Sequence, residues 1–327
     1  MRFYIMAKIV HLVMSDSFAG IEQHVDELLT YSKNNEVLIC TESIAKYFNE
    51  VINVVPIKDF GRNSIIGKYK LKKKLKRINP DVVHTHGSKT TSIINSIKNN
   101  FKHIATVHGI KKNKKVYEKC DLVIGVSNKA IEDIKNKTLV ISNWWNPKLK
   151  KSTKQNNKYA LAVGRLEKVK GFDLLIESWT NIKTKLVIIG SGKEKENLLY
   201  LVKKNNLANK IEILDEVKRE DLISYYENAS VLIVSSRDEG GPRVALEALY
   251  LGIPVISTDV GHMPDILPKE LLANKDDLAS LKELLELYVD SIDLIDQSAI
   301  FEFIQNEFSI DERVKAITSA YEGVLNN

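Results

Sequence analysis

Two doubly wound α/β domains in a single chain are the fold class predicted, and three observations predict it. Short apolar runs alternate with stretches of helical periodicity; the alternation breaks once, at a polar lysine-rich stretch; and beyond the break it restarts. The first series of apolar runs reads "AKIVHLVM", "EVLIC", "VINVV", "DVVHTH", "HIATVH", "DLVIGV" and "TLVIS". Helical patterns at Ile21 to Lys33, Ser43 to Phe48 and Ser64 to Ile78 are interleaved with it. Such runs are apolar nearly throughout, as strands of a parallel sheet covered on both faces must be. The break, "NWWNPKLKKSTKQNNK", is polar and contains proline, so it reads as a linker.

The second series is "YALAV", "KLVIIG", "IEIL", "SVLIVSS" and "IPVIST", with helical segments beginning at Phe172, Lys193, Arg219 and Arg243. From about Asp276 the chain turns helical. In "IDERVKAITSAYEGVL", residues Val314, Ile317, Ala320, Tyr321 and Val324 make one apolar stripe. The expected organisation is a first domain over 1–147, a linker over 148–157, a second domain over 158–305 and a terminal helix over 306–327 that could pack back on the first domain.

The 327 residues, 44% of them apolar, suffice for two cores. No run of eighteen apolar residues occurs, and Arg2 and Lys8 interrupt the start, so neither a membrane span nor a signal peptide is expected and a cytoplasmic protein is. Cys40 and Cys120 lie far apart without CxxC spacing, which gives no disulfide frame or zinc site. The net charge of +6 is unevenly spread. "KYKLKKKLKR" (Lys68 to Arg77) and "KKNKK" (Lys111 to Lys115) hold no acid and would attract phosphate on nucleic acid, anionic lipid or a sugar nucleotide.

In an open parallel sheet, ligands lie beyond the carboxyl ends of the strands, so the loops that follow strands carry the candidates. After "SVLIVSS" comes "RDEGGPRVALEAL". Its glycines precede a helix whose first amides, near Gly240 to Val244, suit an anion, and Pro242 fits the first turn because its missing donor is not needed there. Glu239 would face the crevice, and Glu247, one turn into the helix, could accept hydrogen bonds from ligand hydroxyls. Taken singly, Glu239 reads as a capping acid and Glu247 as a solvated helix residue. In "VGRLEKVKGFDLLIESW", Arg165 ends a strand and Lys170 precedes a helix, so two cations could converge on a diphosphate. A third loop, "IIGSGKEKENL", again sets glycines between strand and helix without forming a GxGxxG fingerprint.

These three segments, in this order and spacing, resemble the C-terminal domain of the large retaining glycosyltransferase family of GT-B fold, often called family 4; Glu239 and Glu247 match its E-x7-E signature. "FAGIEQHVDEL", "DVVHTHGSKT", "ATVHGI" and "VIGVSN" resemble its N-terminal domain. The resemblance implies two Rossmann-like domains facing a central cleft, the first on the acceptor side and the second binding a nucleotide sugar. It implies that Arg165 and Lys170 neutralise the donor diphosphate, that Glu247 binds the ribose, and that Gly240, Gly241 and Arg243 offer amides to sugar or phosphate. Glu239 would face the transferred sugar, Gly20 would let backbone approach phosphate from the other domain, and His108 would be the active-site histidine. No cofactor is implied, because the nucleotide sugar is a substrate; uridine donors are expected first and guanosine donors second.

Three departures stand out. Ala19 precedes Gly20 where two glycines are common, Trp144 replaces a usual glycine, and Asp215 and Glu216 stand where a glycine is usual near the base pocket. His84 and His86 project to one side of their strand and could form a metal pair. No third ligand is evident in the sequence and the family needs none, so no metal is expected and His86 reads as a crevice residue. His11, His24, His103 and His262 receive no role.

In "IIGKYKLKKKLKRI", Ile66, Leu71, Leu75 and Ile78 fit a helical stripe, with lysines elsewhere. Either the stripe packs on the sheet and the lysines are solvated, or the helix docks on an anionic membrane at the inner face to reach a glycan or lipid-linked acceptor. The reading is thus a retaining hexosyltransferase building cell-surface polysaccharide or lipopolysaccharide. A sugar-nucleotide epimerase or a phosphorylase of the same architecture would lack the glutamate pair or need a longer chain. A nucleic-acid-binding protein would interleave aromatics with its basic residues, and only Tyr69 and Tyr117 do so; nucleic acid is not expected as a partner.

Overall fold

The computed structural model describes residues 7–97, 100–111, 113–150 and 156–326. Positions 1–6, Lys112 in the second basic run and 151–155 of the expected linker lie outside the described residues. The chain packs as two units, one holding 1–143 together with 310–327 and the other holding 144–309.

In the first unit the strands are β1 (Lys8–Val13), β2 (Asn35–Thr41), β3 (Val54–Ile57), β4 (Val82–His86), β5 (Lys102–Val107), β6 (Leu122–Gly125) and β7 (Thr138–Val140). They form a parallel sheet in the order β3-β2-β1-β4-β5-β6-β7. The direction of winding reverses between β1 and β4, so their following loops open a crevice at the strand ends. In-register pairing sets His11 of β1 beside His84 of β4, and His86 beside Thr106 of β5.

The terminal helix Ile310–Leu325 belongs to this first unit. It buries Ile317, Ala320, Tyr321 and Val324, leaves Val314 of the expected stripe half-buried, and packs on the helix Gly20–Tyr31. Thr318 accepts a 3.0 Å hydrogen bond from the Asn34 amide. The helical segment expected at Ser43 to Phe48 shortens to Glu42–Ala45.

The basic helix runs over Ile65–Ile78 and is capped by Ser64, whose hydroxyl accepts from the Gly67 N–H at 3.1 Å. Its expected stripe divides. Leu71 and Leu75 enter the core and Ile78 is half-buried, but Ile66 is exposed, as are Ile65 and Tyr69. The reason is local: the first turn rests on Phe60 through Gly67, where a Cβ would lie 2.3 Å from the ring, and its large apolar side chains project outward.

In the second unit β8 (Tyr159–Val163), β9 (Leu186–Ile189), β10 (Ile211–Leu214), β11 (Ala229–Val234), β12 (Val255–Thr258) and β13 (Leu272–Ala273) form a parallel sheet ordered β10-β9-β8-β11-β12-β13. Here the reversal falls between β8 and β11. Both lead into the glycine-containing loops singled out above, and the fully buried Leu161, Ile188, Leu232 and Ile256 fill the sheet's core.

Candidate donor site

The loops after β8 and β11 leave neighbouring strands and are stitched together. Gly171, at φ +66°, lies so close to the β11 loop that a Cβ would come 2.0 Å from the Ser235 carbonyl oxygen. Only glycine tolerates both the backbone angle and the approach. Ser235 Oγ donates to the Lys170 carbonyl at 3.0 Å, and the Arg237 N–H donates to the Val169 carbonyl at 2.8 Å. Below them the Arg237 guanidinium grips Asp173 with two bonds of 2.7 and 3.0 Å and reaches Asp276 at 2.5 Å. Burial would raise the Asp173 carboxyl, but the hydrogen bonds from Arg237 and Lys168 hold it below the ordinary carboxylate range.

Above this clamp the Lys170 ammonium pairs with Glu239 Oε1, and the Ser236 hydroxyl donates to the same oxygen at 3.1 Å. Lys170 reaches it by running along Gly164, where a Cβ would sit 3.3 Å from its Cε. Gly240 is buried against Gly261, itself at φ +54° with room for no side chain: its Cβ would lie 2.8 Å from the Gly240 oxygen. The chain then passes Gly241 and Pro242, at φ −68°, into the helix Arg243–Tyr250. A cation, a carboxylate and a glycine turn at a helix start are thus held together.

The remaining candidates of this unit sit differently. Arg165 is not brought to Lys170 or Glu239; its side chain is 68% exposed and pairs with Glu167 at 2.8 Å. The Arg243 side chain turns to Trp144, donating from Nε to its carbonyl at 3.3 Å and lying 5.7 Å from the indole centroid. Trp144 is fully buried, so the residue found where a glycine is usual serves as packing for the start of this helix. Glu247 is not a solvated helix residue. Its side chain is 4% exposed, Arg219 Nη2 pairs with one carboxylate oxygen at 2.6 Å, and the Tyr226 hydroxyl donates to the other at 3.1 Å. Asp215 and Glu216 tether the third glycine loop, through Lys195 at 2.5 Å and Ser191 Oγ at 2.7 Å.

In the first unit Gly20 opens the helix after β1 and is exposed, with nothing within 4 Å of where a Cβ would be. His108 follows β5 and is half-buried; its Nε2 lies 3.0 Å from Nδ1 of His86. Burial, helped by Lys111, lowers the His108 imidazole to about 3, so the ring is neutral at physiological pH. His86 is buried and not a crevice residue: its Nε2 lies 3.0 Å from His11 Nδ1.

Residues 18–143 match the family described as Glycosyltransferase Family 4, and residues 146–291 match Glycosyl transferases group 1. An uncharacterized glycosyltransferase of Methanocaldococcus jannaschii is 32% identical over 297 residues, spanning 82% of this chain and 84% of the relative. The chain belongs to glycosyltransferase family 4. The amylovoran biosynthesis glycosyltransferase AmsD of Erwinia amylovora is 39% identical to this glycosyltransferase over 120 residues, 36% of this chain and 33% of AmsD. Two solved structures share its GT-B fold. The lipopolysaccharide outer core galactosyltransferase WaaB superposes with TM-score 0.81 at 18% identity, over 97% of this chain and 99% of WaaB. Anabaena HepE in complex with UDP-glucose superposes with TM-score 0.79 at 16% identity, over 97% of this chain and 100% of HepE.

Several of the arrangements around the candidate residues of each unit were not legible in the sequence. Arg219 and Tyr226 precede Glu247 by 28 and 21 residues, and no local pattern links them. Asp173 and Arg237 belong to different strand–helix units and meet only because β8 and β11 are neighbours. The third ring nitrogen missing from the His84 and His86 pair also comes from register. His11, His84 and His86 bring ring nitrogens within 4.8 Å of one another, as do His24, His86 and His108. What the His11, His86 and His108 rings make in this structure is hydrogen bonds to each other. The signal available beforehand was only that "IVHLV" and "VVHTH" set histidine beside apolar residues within runs that read as strands.

Proposed function

We propose that this family 4 enzyme is a retaining hexosyltransferase that takes a sugar from a uridine diphosphate donor and passes it to a glycan or lipid-linked acceptor in cell-surface polysaccharide or lipopolysaccharide synthesis. The observation that carries the reading is the pairing of Lys170 with Glu239 beside the Gly240–Gly241 turn. Cation and carboxylate stand side by side where a sugar diphosphate offers both an anion and hydroxyl donors. Lys170 neutralises charge on the departing diphosphate. Arg165, exposed beside Glu167 in this structure, is assigned to the same diphosphate from its place in the loop after β8 and would have to leave Glu167 to reach it. The turn amides bind phosphate or sugar oxygens; Glu239 accepts from a sugar hydroxyl; Glu247 meets the ribose. Within the first unit, His108 and Gly20 are the candidates.

The reaction is a same-face substitution. The bond from the anomeric carbon to the diphosphate oxygen breaks, the acceptor oxygen bonds to the same face, and a diphosphate oxygen takes the acceptor's proton. No protein nucleophile is required, so catalysis rests on charges already in place. The uridine donor and polysaccharide product are supported by the UDP-glucose complex of HepE, by the lipopolysaccharide outer core galactosyltransferase WaaB and by the amylovoran biosynthesis glycosyltransferase AmsD.

Lys170→Ala and Arg165→Ala should each lower transfer by about two orders of magnitude or more while circular dichroism stays unchanged. Near-normal transfer by both variants would refute the assignment. Because a true donor stabilises the folded state by mass action, a thermal-shift panel of nucleotides should raise Tm with UDP-sugars. A response to guanosine donors alone would correct the base.

A further inference from the structure

Five histidines of the first unit meet in its interior, and three of them form a line that ends at His108. Glu36, on β2, has a side chain only 6% exposed, and its Oε1 lies 3.4 Å from His11 Nε2. His11 Nδ1 lies 3.0 Å from His86 Nε2, and His86 Nδ1 lies 3.0 Å from His108 Nε2. The rings of His11 and His86 are stacked, 15° from parallel with centroids 5.3 Å apart. Both links between rings are an imidazole nitrogen facing another, so each needs one proton and one lone pair.

A neutral imidazole has one N–H and one lone pair, so fixing either nitrogen fixes the other. The Glu36 carboxylate can only accept, so its nearness favours N–H at His11 Nε2, whose hydrogen-bond partner is the Tyr321 hydroxyl, and leaves a lone pair at Nδ1. His86 then donates from Nε2 into that lone pair and keeps its own at Nδ1. His108 in turn donates from Nε2 and is left with a lone pair at Nδ1. A branch agrees with the same sense. Tyr321 Oη, 3.3 Å from His11 Nε2, accepts there and donates to His84 Nδ1 at 2.8 Å, so that His84 Nε2 donates to Thr106 Oγ1 at 2.7 Å. The opposite sense would point a lone pair of His11 at a buried carboxylate.

We propose that Glu36 is a positioning residue which, through the tautomers of His11 and His86, makes Nδ1 of His108 a hydrogen-bond acceptor for a substrate hydroxyl. The active-site part rests on the reading of His108 given above. The device gives a role to histidine in the middle of β1, at the end of β4 and just after β5: each ring passes the choice of protonated nitrogen to the next. It also fixes what His108 can recognise, a hydroxyl that donates and not a carbonyl or phosphate oxygen that only accepts.

The test is long-range proton–nitrogen correlation NMR on chelator-treated protein with 15N-labelled histidine, which separates protonated from unprotonated ring nitrogens without any substrate. In the wild type His11, His86 and His108 should all carry the proton on Nε2. In Glu36→Gln, whose amide can donate to His11, the Nδ1 signal of His108 should move toward the protonated range. Wild-type His108 protonated on Nδ1, no change at His108 in folded Glu36→Gln, or a stoichiometric metal ion holding the rings would each overturn the proposal. The wild-type spectrum decides even if the variant does not fold. Should the tautomers follow expectation while His108→Ala transfers sugar normally, it is the active-site reading of His108 that fails and not the coupling.

Discussion

At the scale of single residues, the second unit spends buried charge where its candidate site needs fixed groups. Glu247 is the clearest case, because its carboxylate is shielded and answered by Arg219 and Tyr226 on the far side of a loop. Removing one partner of such a group leaves charge without compensation. Arg219→Ala should therefore cost about 2 kcal/mol, read as a lower chemical-denaturation midpoint, and should weaken donor binding as Glu247 loses its orientation. Arg219→Lys would restore charge without the planar fork and should recover only part of either. The sequence exposed the glutamate, since its spacing from Glu239 is visible in the chain, but it could not expose the arginine, whose contact exists only after β10 and β11 take their places in the sheet. Arg165 reverses the lesson: its position after a strand suggested a fixed group, yet that position places its guanidinium beside Glu167 and solvent.

At the scale of elements, the helix Ile65–Ile78 joins two jobs that its sequence shows as one stripe. Leu71 and Leu75 anchor it to the core, while Ile65, Ile66 and Tyr69 stand outside among Lys70, Lys72, Lys73, Lys76 and Arg77. Apolar side chains exposed beside lysines suit a headgroup boundary better than bulk water. No helix among the described residues is long and apolar enough to cross a membrane. The protein should bind vesicles containing anionic lipid and release them as salt rises, each basic residue near the surface contributing about 1 kcal/mol. Ile65→Ser with Ile66→Ser should cut that binding while leaving Tm in place, and no binding by the wild type at low ionic strength would remove the proposal. The helix itself was more legible than its facing: the pattern from Ser64 to Ile78 announces it, but the burial of Leu71 against the exposure of Ile66 depends on where Phe60 lies.

At the scale of the whole molecule, alternating apolar runs were enough to anticipate two doubly wound sheets, because parallel strands covered on both faces leave few other solutions. Register was not available from the same runs, and with it went the histidine interior. That interior sets the protein's response to acid. Burial holds His84 and His86 well below the usual value, His103 at about 4 and His108 at about 3. Unfolded, each takes a proton near pH 6.5, so below that value the unfolded chain binds more protons and stability falls with pH. The first unit should lose roughly 1.4 kcal/mol per pH unit for each such histidine between about pH 6.5 and the folded values, detectable as a falling Tm and as proton uptake on unfolding. A Tm that stays flat from pH 7 to pH 5 would contradict this. The pairing of Tyr321 with His84 carries a further consequence for biosynthesis. A ribosome delivers residues in order, so all of 144–309 emerges before the strand that fills out the first unit's histidine interior has its helical lid. The first unit therefore cannot complete its fold until residues 310–325 have followed the whole of the second, and it stays open to chaperones for longer.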